Sequence, residues 1–515
     1  MGARKRGSAG PVPEVQTRPA RRFLWSFAAL LAGALAMSLE IAAARLLAPY
    51  LGSSLQVWGA LISVMLGAMA LGYAIGGRVA DRSDGDGQLF GAILASGVCQ
   101  GAALFVAHPL LRRLAHWPDV AATLAGILGL FALPTLLLAA VGPCVIRLSA
   151  RDRIGTTAGA VNALGAIGSI AGVLLTSFVL LPQAGTRATL QGLAATSLVL
   201  GAIGLVPRRA SVVGLASLAL FAAPDREWPA RTIWTGESIY HVVQVVELGK
   251  LRGLVLDEET SLHTAIDLTG GGRTSGYWDD FAVGPLLSRG HRALVLGMGG
   301  GASIQALRAA DPGTVIDAVE IDPLVVRVAA EQFGVEPAPL LRIHVADARR
   351  FLAASSDAYD VIQFDLFRGG PDIPSHLATL EFFELARGHL RPGGVLMVNV
   401  FDLAPGHPLL SSLSATVGRV FPSVVVRTRS EMNHLLLAFP DARTLPDVRA
   451  ALGAAPPAVS DIAREVSRDI RPSSHGPDAA VLTDDRAPVE ELTRRMMQAA
   501  TTARLLPHHA GAQPQ

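Results

Sequence analysis

Three acidic residues in the C-terminal half of the chain, Glu320, Asp347 and Asp365, each stand at the end of a short apolar segment. An earlier segment of the same kind ends in the glycine-rich turn Gly297-Met-Gly-Gly-Gly-Ala-Ser303, which opens a helix. Ligands of parallel sheets bind at the carboxyl ends of the strands. We therefore expect the turn and the three acids to form one ligand site.

The positions of these residues indicate the chemistry of the ligand. Glu320 lies 23 residues after Gly297, where an acid can accept both ribose hydroxyls of an adenosine-bearing cofactor. Asp347 can accept the adenine amino group, and Asp365 lies where the reactive group of the cofactor would be. The turn contains no basic residue. Acids without bases favour a cation such as a sulfonium and disfavour a dinucleotide pyrophosphate.

Alternating strands and helices are predicted to position these residues in a doubly wound, mainly parallel α/β domain. A small β-rich subdomain comes before it, with two strands between Ser238 and Asp257 and a short helix from Tyr277. The predicted strands of the α/β domain are 292–296, 315–321, 341–345, 359–364, 395–400, 424–428 and 435–439.

The N-terminal half predicts a multi-pass α-helical membrane domain. The chain has 515 residues, of which 50% are hydrophobic and 17% are charged, and the apolar excess lies before about residue 224. This distribution excludes a single soluble domain, and basic loop residues place the N-terminus in the cytoplasm. The predicted spans are 24–48, 56–77, 88–108, 121–147, 157–181 and 189–206. A shorter apolar segment at 210–223 is either a tilted span, a re-entrant segment or a helix at the membrane interface.

Several classes of site are excluded or left open. The 44 basic and 42 acidic residues create no global field for nucleic acid, and Cys99 and Cys144 form no metal or redox pattern. Glu40 lies deep in the first span, where an unpaired carboxylate is costly. It must face the bundle interior, be protonated or pair with a base such as Arg45. A structural ion pair and a site for a cationic substrate are both open.

The stretch from about Ser238 to Glu490 resembles spermidine synthase, a polyamine aminopropyltransferase with a methyltransferase-like Rossmann fold. The whole chain resembles the fused membrane/spermidine-synthase-like proteins of bacteria. This wider resemblance rests on Gly77-Arg-Val-Ala-Asp81-Arg82 in the membrane half and on the closing Leu482-Thr-Asp-Asp-Arg-Ala-Pro-Val-Glu490.

The resemblance implies aminopropyl transfer from decarboxylated S-adenosylmethionine to putrescine or a related amine, without a metal. Asp365 would be the general base, and 5'-methylthioadenosine would be a product. The implied partners are a small polyamine and the lipid bilayer, with no nucleic acid, and a homodimer is left open. The implied cofactor-binding residues are His241, Gly297, Gly299, Gly301, Glu320, Asp347 and Ala348, and the implied substrate-binding residues are Tyr240, Tyr277 and Asp365.

The sequence departs from the family pattern on the side of the amine. Gly300 stands where the family has an amine-binding aspartate, and Arg368 replaces the second aspartate of an Asp-x-x-Asp gate. Trp278 replaces a substrate-binding histidine. The cofactor site is therefore kept, and much of the polyamine anchor is lost.

Two alternatives follow from these departures. One is methyl transfer from intact S-adenosylmethionine, and the other is a transporter or sensor whose soluble half binds ligand without turnover. The catalytic half is expected in the cytoplasm if six helices span the membrane. The expected organisation is a basic arm at 1–22, a membrane domain of six or seven helices at 23–224, a β-rich subdomain at 228–280, a spermidine-synthase-like domain at 281–495 and a disordered tail at 496–515.

Overall fold

A computed structural model of the protein contains two compact units, residues 1–226 and 227–515. The structure describes residues 19–51, 55–82, 85–114, 117, 119–150, 153–205, 231–257, 262–269, 273–288, 290–367, 372–404, 406–430, 432–477 and 479–505.

The first unit is helical. Five helical stretches among its described residues are long and apolar enough to cross a membrane, and the fifth runs over 52 residues, from Ile154 to Leu205. The apolar segment 210–223 lies outside the described residues. The helices are α1 (Pro19–Leu51), α2 (Leu55–Ala80), α3 (Gly87–Leu114), α4 (Asp119–Ile127), α5 (Leu133–Ala139), α6 (Val141–Ser149), α7 (Ile154–Leu175) and α8 (Leu181–Leu205), with π-helical turns at Leu128–Ala132 and Thr176–Leu180.

Helices α1 and α3 run in the same direction. At one end the guanidinium of Arg21 donates two 2.6 Å hydrogen bonds to Asp86, and at the other the Tyr50 hydroxyl lies 2.6 Å from His108 Nδ1. The predicted arm at 1–22 is therefore too long, because Arg21 belongs to α1 and is held there by Asp86. Glu40 is buried, as predicted, and no ion pair joins it to any residue that the structure describes.

Glycines allow α7 to lie directly against α1. A Cβ at Gly168 would collide with the carbonyl of Leu30, and one at Gly172 would collide with that of Ala34. The residue numbers of the contacting positions increase together along the two helices, so α7 runs parallel to α1. Close approach through small residues is the usual way in which membrane helices associate.

Helix α8 runs the other way. Gly204 lies against Phe90 and Leu198 against Gly97, so α8 is antiparallel to α3. Since α3 is parallel to α1 and α7, the chain reverses after α7, at Gly185 inside the range of α8, where φ is 75° and ψ is 174° and two helices meet at a kink. The 52-residue stretch is therefore two antiparallel helices, in agreement with the predicted spans 157–181 and 189–206.

The second unit begins with a four-stranded antiparallel sheet in the order β1-β2-β3-β4. Residues 238–241, predicted as part of a strand, instead form the turn between β1 and β2, because Ser238 Oγ accepts from the backbone N–H groups of Tyr240 and His241. The strands are β1 (Thr232–Glu237), β2 (Val242–Leu248), β3 (Leu251–Leu256) and β4 (Thr264–Asp267).

An eight-stranded sheet follows, in the order β12-β10-β11-β9-β8-β5-β6-β7. Strands β7, β6, β5, β8 and β9 are parallel, and β11, β10 and β12 extend the sheet in antiparallel fashion. The strands are β5 (Arg292–Leu296), β6 (Val315–Glu320), β7 (Leu341–Val345), β8 (Tyr359–Phe364), β9 (Leu390–Phe401), β10 (Ser423–Thr428), β11 (Asn433–Phe439) and β12 (Ile470–Pro472).

Helices cover both faces of this sheet, as a doubly wound fold requires. On one face, the 3-10 helix Tyr277–Val283 packs Phe281 into a core with β5, β8 and β9. The α-helices are α9 (Gly284–Leu287), α10 (Ala302–Ala310), α11 (Pro323–Phe333), α12 (Ala348–Ala354), α13 (Leu380–Gly388), α14 (Pro408–Val420), α15 (Leu445–Gly453), α16 (Ser460–Asp469) and α17 (Val489–Leu505).

The predicted disordered tail at 496–515 begins too early. Helix α17 continues to Leu505, and Met496 is fully buried. Glu491 accepts hydrogen bonds from Arg494 and Arg495, one turn further along the helix. These i,i+3 and i,i+4 pairs support a helix through 496.

Candidate functional site

The glycine-rich turn joins β5 to α10 in a conformation that requires glycine. Gly297, Gly299 and Gly301 have φ values of 83°, 49° and 85°, in the left-handed region. A Cβ at Gly297 would also collide with the backbone carbonyl of Asp365. The turn and the end of β8 are therefore in direct backbone contact.

Backbone N–H groups of the turn are held from two sides. Gly299 N–H donates to Glu320 Oε2 at 3.1 Å, and Gly300 N–H donates to Thr264 Oγ1 at 3.1 Å. A Cβ at Gly300 would lie 2.9 Å from Thr264 Cγ2 and 3.2 Å from Phe333. A side chain at position 300 would therefore be directed at the β-rich sheet and α11.

Glu320, the acid predicted to bind the ribose, is the last residue of β6 and is buried. Burial raises the pKa of Glu320, and N–H groups of Asp322 and Gly299 oppose this rise. With the N–H of Ile321, three donors occupy its two oxygens, which offer about four lone-pair sites. About one lone-pair site is therefore left for a ligand. Two ribose hydroxyls could both bind only if one of them shares a lone pair with an N–H group that is already bound.

His241 lies beside Glu320 at the start of β2. Its Nδ1 is 3.2 Å from the carboxylate of Asp257. Burial lowers the pKa of His241, but Asp257, Glu320 and Asp322 more than offset burial, and the pKa is raised overall. Burial, with His241 nearby, lowers the pKa of His263 to about 4. The β-rich subdomain therefore presents one imidazole of raised pKa beside the predicted ribose site.

Asp347 caps α12, accepting from the N–H of Arg350 at 2.9 Å, and lies 3.2 Å from His376 Nε2. Burial raises the pKa of Asp347, but the N–H of Arg350 and His376 outweigh it, so the pKa is lowered overall. Ala348 is the buried first residue of the helix. Arg349 forms a two-bond ion pair with Asp484 of the closing motif, at 2.5 and 2.7 Å, which ties the C-terminus to this edge of the site.

Asp365 follows β8, and two side chains hold its carboxylate. The Tyr277 hydroxyl donates to Oδ2 at 3.1 Å, and Asn399 Nδ2 donates to Oδ1 at 2.9 Å. Burial raises the pKa of Asp365 to about 6, against these two hydrogen bonds. Burial and the carboxylate of Asp365 raise the pKa of Tyr277 well above its usual value, so this phenol stays a donor. The carboxylate is thus oriented and is a stronger base than an exposed aspartate.

Neither Tyr240, which the resemblance implies to bind substrate, nor Trp278, which stands in place of the family's histidine, is hydrogen-bonded to Asp365. Trp278 is buried, and its Nε1–H donates to Thr274 Oγ1 at 2.5 Å, which makes it a core residue. Tyr240 is exposed in the β1–β2 turn, and its N–H donates to Ser238. Tyr277 alone of these three contacts Asp365.

An ion-pair cluster anchors the 3-10 helix that carries Tyr277. The buried carboxylate of Asp280 pairs with Arg427 and Arg429 of β10 and its following loop. Arg429 also donates to the carbonyl of Ser275 at 3.0 Å. Breaking a buried pair leaves an uncompensated charge, so the cluster fixes this helix firmly on the sheet.

Sequence reasoning missed Asn399 and Thr264. Asn399 is a polar residue inside the apolar segment 395–400, and its buried amide had to have a partner. That partner is Asp365, because Phe364 pairs with Val398 and the next residues lie side by side. Only strand register reveals this pair.

Comparison with known proteins finds similarity to one family in the C-terminal half. Residues 281–430 match the spermine/spermidine synthase domain. A probable polyamine aminopropyl transferase of Bifidobacterium longum is 35% identical over 196 residues, which cover 38% of this chain and 43% of that protein. Polyamine aminopropyltransferase 2 of Streptomyces coelicolor is 29% identical over 434 residues, 76% of this chain and 77% of that protein. The human eEF1A lysine and N-terminal methyltransferase is 30% identical over 206 residues, 37% of this chain and 28% of that protein.

These matches confirm the predicted resemblance. Residues 281–430 match the synthase domain within a Rossmann-like sheet, the curated relatives are named as transferases, and the five apolar helical stretches among the described residues before it fit a fused membrane region. The chain spans 43% of the length of each of the first two curated relatives it matches.

Proposed function

We propose that this protein is a membrane-anchored aminopropyltransferase that uses decarboxylated S-adenosylmethionine as donor and an amine, putrescine by resemblance, as acceptor. The observation that carries the proposal is the Asp365 carboxylate, held by Tyr277 and Asn399 next to the glycine-rich turn. The relatives named polyamine aminopropyltransferases support the same reaction.

The reaction needs a base for the acceptor. An amine is protonated near pH 7 and cannot attack until it loses a proton. Asp365, whose pKa is raised to about 6, is ionised at neutral pH and can take this proton, a contribution of roughly 10²–10⁴-fold. The nitrogen then bonds to the propyl carbon, the carbon–sulfur bond breaks towards sulfur, and 5'-methylthioadenosine leaves uncharged.

The donor site consists of the turn and two acids. The glycines of the turn offer backbone without side chains, Glu320 and Asp347 offer acceptors for hydroxyl and amino groups, and the turn 297–303 itself contains no lysine or arginine. These groups fit an adenosyl sulfonium.

The roles of Glu320 and Asp365 are expected to separate. Glu320→Ala loses a charge-assisted acceptor worth about 1.5–3 kcal/mol, so thioadenosine should bind roughly ten- to a hundredfold more weakly. Asp365→Asn keeps the shape and cannot accept the proton, so turnover should fall while binding changes little. Calorimetric binding and turnover of both variants test this division. If Asp365→Asn loses binding as badly as Glu320→Ala, or keeps its turnover, the assigned base is wrong.

Methyl transfer from intact S-adenosylmethionine is the second candidate, favoured by the 30% identity to the human methyltransferase. Donors labelled in the methyl group or in the aminopropyl group distinguish the two reactions. Transfer from the intact donor alone would exclude aminopropyl transfer. A transporter or sensor is supported instead if the protein binds thioadenosine but transfers neither group.

The catalytic half is proposed to be cytoplasmic, where the donor is made. Helix α8 ends at the face of the bundle where α1 begins, since Gly204 meets Phe90 near the Arg21–Asp86 pair. The six spans among the described residues support this placement, which requires that segment 210–223 does not cross the membrane. A reporter fused after Gln515 that is active only in the periplasm would refute it.

A further inference from the structure

One acidic side chain is buried among the helices of the first unit without a partner. Glu40 is the single acidic residue within the six predicted spans, and it is 8% exposed. No hydrogen bond or ion pair joins it to another residue that the structure describes. A lone carboxylate inside a membrane is costly, so Glu40 needs a counter-ion or a proton.

The helices packed around α1 supply no counter-ion for Glu40 among their described residues. Helices α5 and α7 and both π-helical turns contain no ionisable residue. The Cys144 thiol donates to a backbone carbonyl of α2, and His108 contacts Tyr50, ten residues beyond Glu40. Arg45 lies about 140° around α1 from Glu40, at about 100° for each residue. The other ionisable side chains described on these helices form no bond with Glu40, and they are Tyr73, Cys99, Arg187 and the last-turn arginines Arg78, Arg112, Arg113 and Arg147.

Thr176 has a buried hydroxyl without a hydrogen-bond partner among the described residues. A helical threonine can donate to the carbonyl four residues earlier. Here that carbonyl, of Gly172, already accepts from Ser38 Oγ at 3.2 Å and from the Thr176 N–H. Thr176 also begins the π-helical turn Thr176–Leu180, which contacts α1, and such turns often occur at functional sites. The hydroxyl is therefore available to a group on α1.

A contact two turns earlier places Thr176 beside Glu40. Ser169 Oγ of α7 donates to the Gly33 carbonyl of α1 at 3.3 Å. Because the two helices are parallel and seven residues make about two turns, Thr176 and Glu40 lie on the same side as that contact and level with each other. The helices approach closely at Gly172, one turn before Thr176. So close an approach suits a proton as the ligand better than a larger cation.

We infer that Glu40 is a proton-binding site of the first unit, whose carboxyl holds a proton beside the Thr176 hydroxyl and exchanges it with water. This inference rests on the proposed membrane anchoring and not on the transfer reaction. The hydroxyl can accept from the protonated acid and donate to the carboxylate, since it is both acceptor and donor. Loss of the proton leaves a charge between α1 and α7 that the apolar surroundings disfavour. The contact between these helices should therefore loosen as the pH rises.

Infrared difference spectroscopy of the full-length protein in detergent tests the proton directly. The carbonyl stretch of a protonated carboxylic acid should be present at neutral pH, disappear as the pH is raised and be absent in Glu40→Gln. Asp81→Asn, which changes an exposed acid of the same unit, is the matched control and should keep this band. Absence of the band at neutral pH, or a band that no pH removes, overturns the inference. Loss of the band on adding sodium or putrescine at constant pH assigns the site to another cation and also overturns it.

Two hydroxyl variants test the partner of Glu40. Thr176→Val removes the donor to the carboxylate, so the pH at which half of the band is lost should rise by about one unit. Ser169→Ala removes a hydroxyl that is bound to Gly33 instead and should leave this pH unchanged. Equal shifts in both variants, or none in Thr176→Val, contradict the assigned partner.

Hydrogen exchange tests the link to helix packing. Exchange at the amides of residues 172–180, corrected for intrinsic rates, should speed up with rising pH in the wild type and stay slow in Glu40→Gln. The same pH response in both proteins overturns this link. None of these measurements uses transfer activity, so their failure leaves the proposed function standing, and failure of transfer leaves the proton site standing.

Discussion

Replacing Asp365 by Asn should stabilise the second unit at neutral pH while abolishing turnover. Burial raises the pKa of Asp365 from 3.8 to about 6, which corresponds to about 3 kcal/mol of lost stability once the group is ionised, at about 1.4 kcal/mol for each pH unit. The amide avoids this cost but pairs less well with Tyr277, a loss of about 1 kcal/mol. The expected net gain is about 2 kcal/mol.

The pH dependence of this gain has a definite sign. Because the folded pKa of Asp365 is raised, its favourable contribution is fully present below 3.8 and is lost as pH rises through about 6. The advantage of the Asn variant should therefore be largest above pH 7 and fade towards pH 4. Hydrogen exchange of the β8 amides, corrected for intrinsic rates, gives the opening free energy of this unit in the full-length protein.

Asp317 provides a control of opposite sign on the same sheet. It is 1% exposed and accepts from Arg342 at 2.7 Å, and its pKa is lowered because Arg342 and His344 outweigh burial. Asp317→Asn should therefore lower the opening free energy measured at the β8 amides near pH 7. This loss should fade as the pH falls below the usual pKa of an aspartate. If Asp365→Asn also destabilises at pH 8, the burial of its charge is not the dominant effect and the reasoning is refuted.

Three further predictions follow from the packing and the hydrogen bonds. Gly297→Ala should abolish turnover and destabilise the unit, whereas Gly334→Ala, which has a similar φ of 66° and open space, should cost only about 1 kcal/mol in the same exchange measurement. Asn399→Leu removes a hydrogen bond that lowers the pKa of Asp365, so the acid limb of the kcat/KM profile should move above pH 6, and an unmoved limb would contradict the assignment. Gly172→Ala should force α7 away from α1 and lower the thermal stability of the first unit in detergent, and an unchanged melting temperature would refute the close packing.

The sequence predicted the positions of the acids better than their partners. Glu320, Asp347 and Asp365 end or follow three strands whose apolar character is plain, so their common edge could be predicted from alternation alone. Asn399 could not, since its pairing depends on which strand lies beside β8, and nothing in local composition fixes that order. Thr264 likewise reaches the turn from a separate sheet.

The ends of the helical regions were mispredicted for a related reason. The arm looked polar through residue 22, yet Arg21 is helical because Asp86, 65 residues away, pairs with it. The tail from residue 496 was predicted to be disordered, yet the side chain of Met496 is buried. Both depend on long-range partners that charge and hydropathy patterns do not encode.

The contact between Gly297 and the carbonyl of Asp365 has a consequence for how this scaffold can diversify. The distance between the glycine-rich turn and the backbone of Asp365 is set by main chain against main chain, so it does not depend on the side chains around them. The surroundings of Tyr277 and Asn399 include the side chains of Arg429 and Asn433, which come from β11 and the loop before it. Selection can therefore exchange acceptors by changing a few side chains while the geometry of transfer is inherited intact.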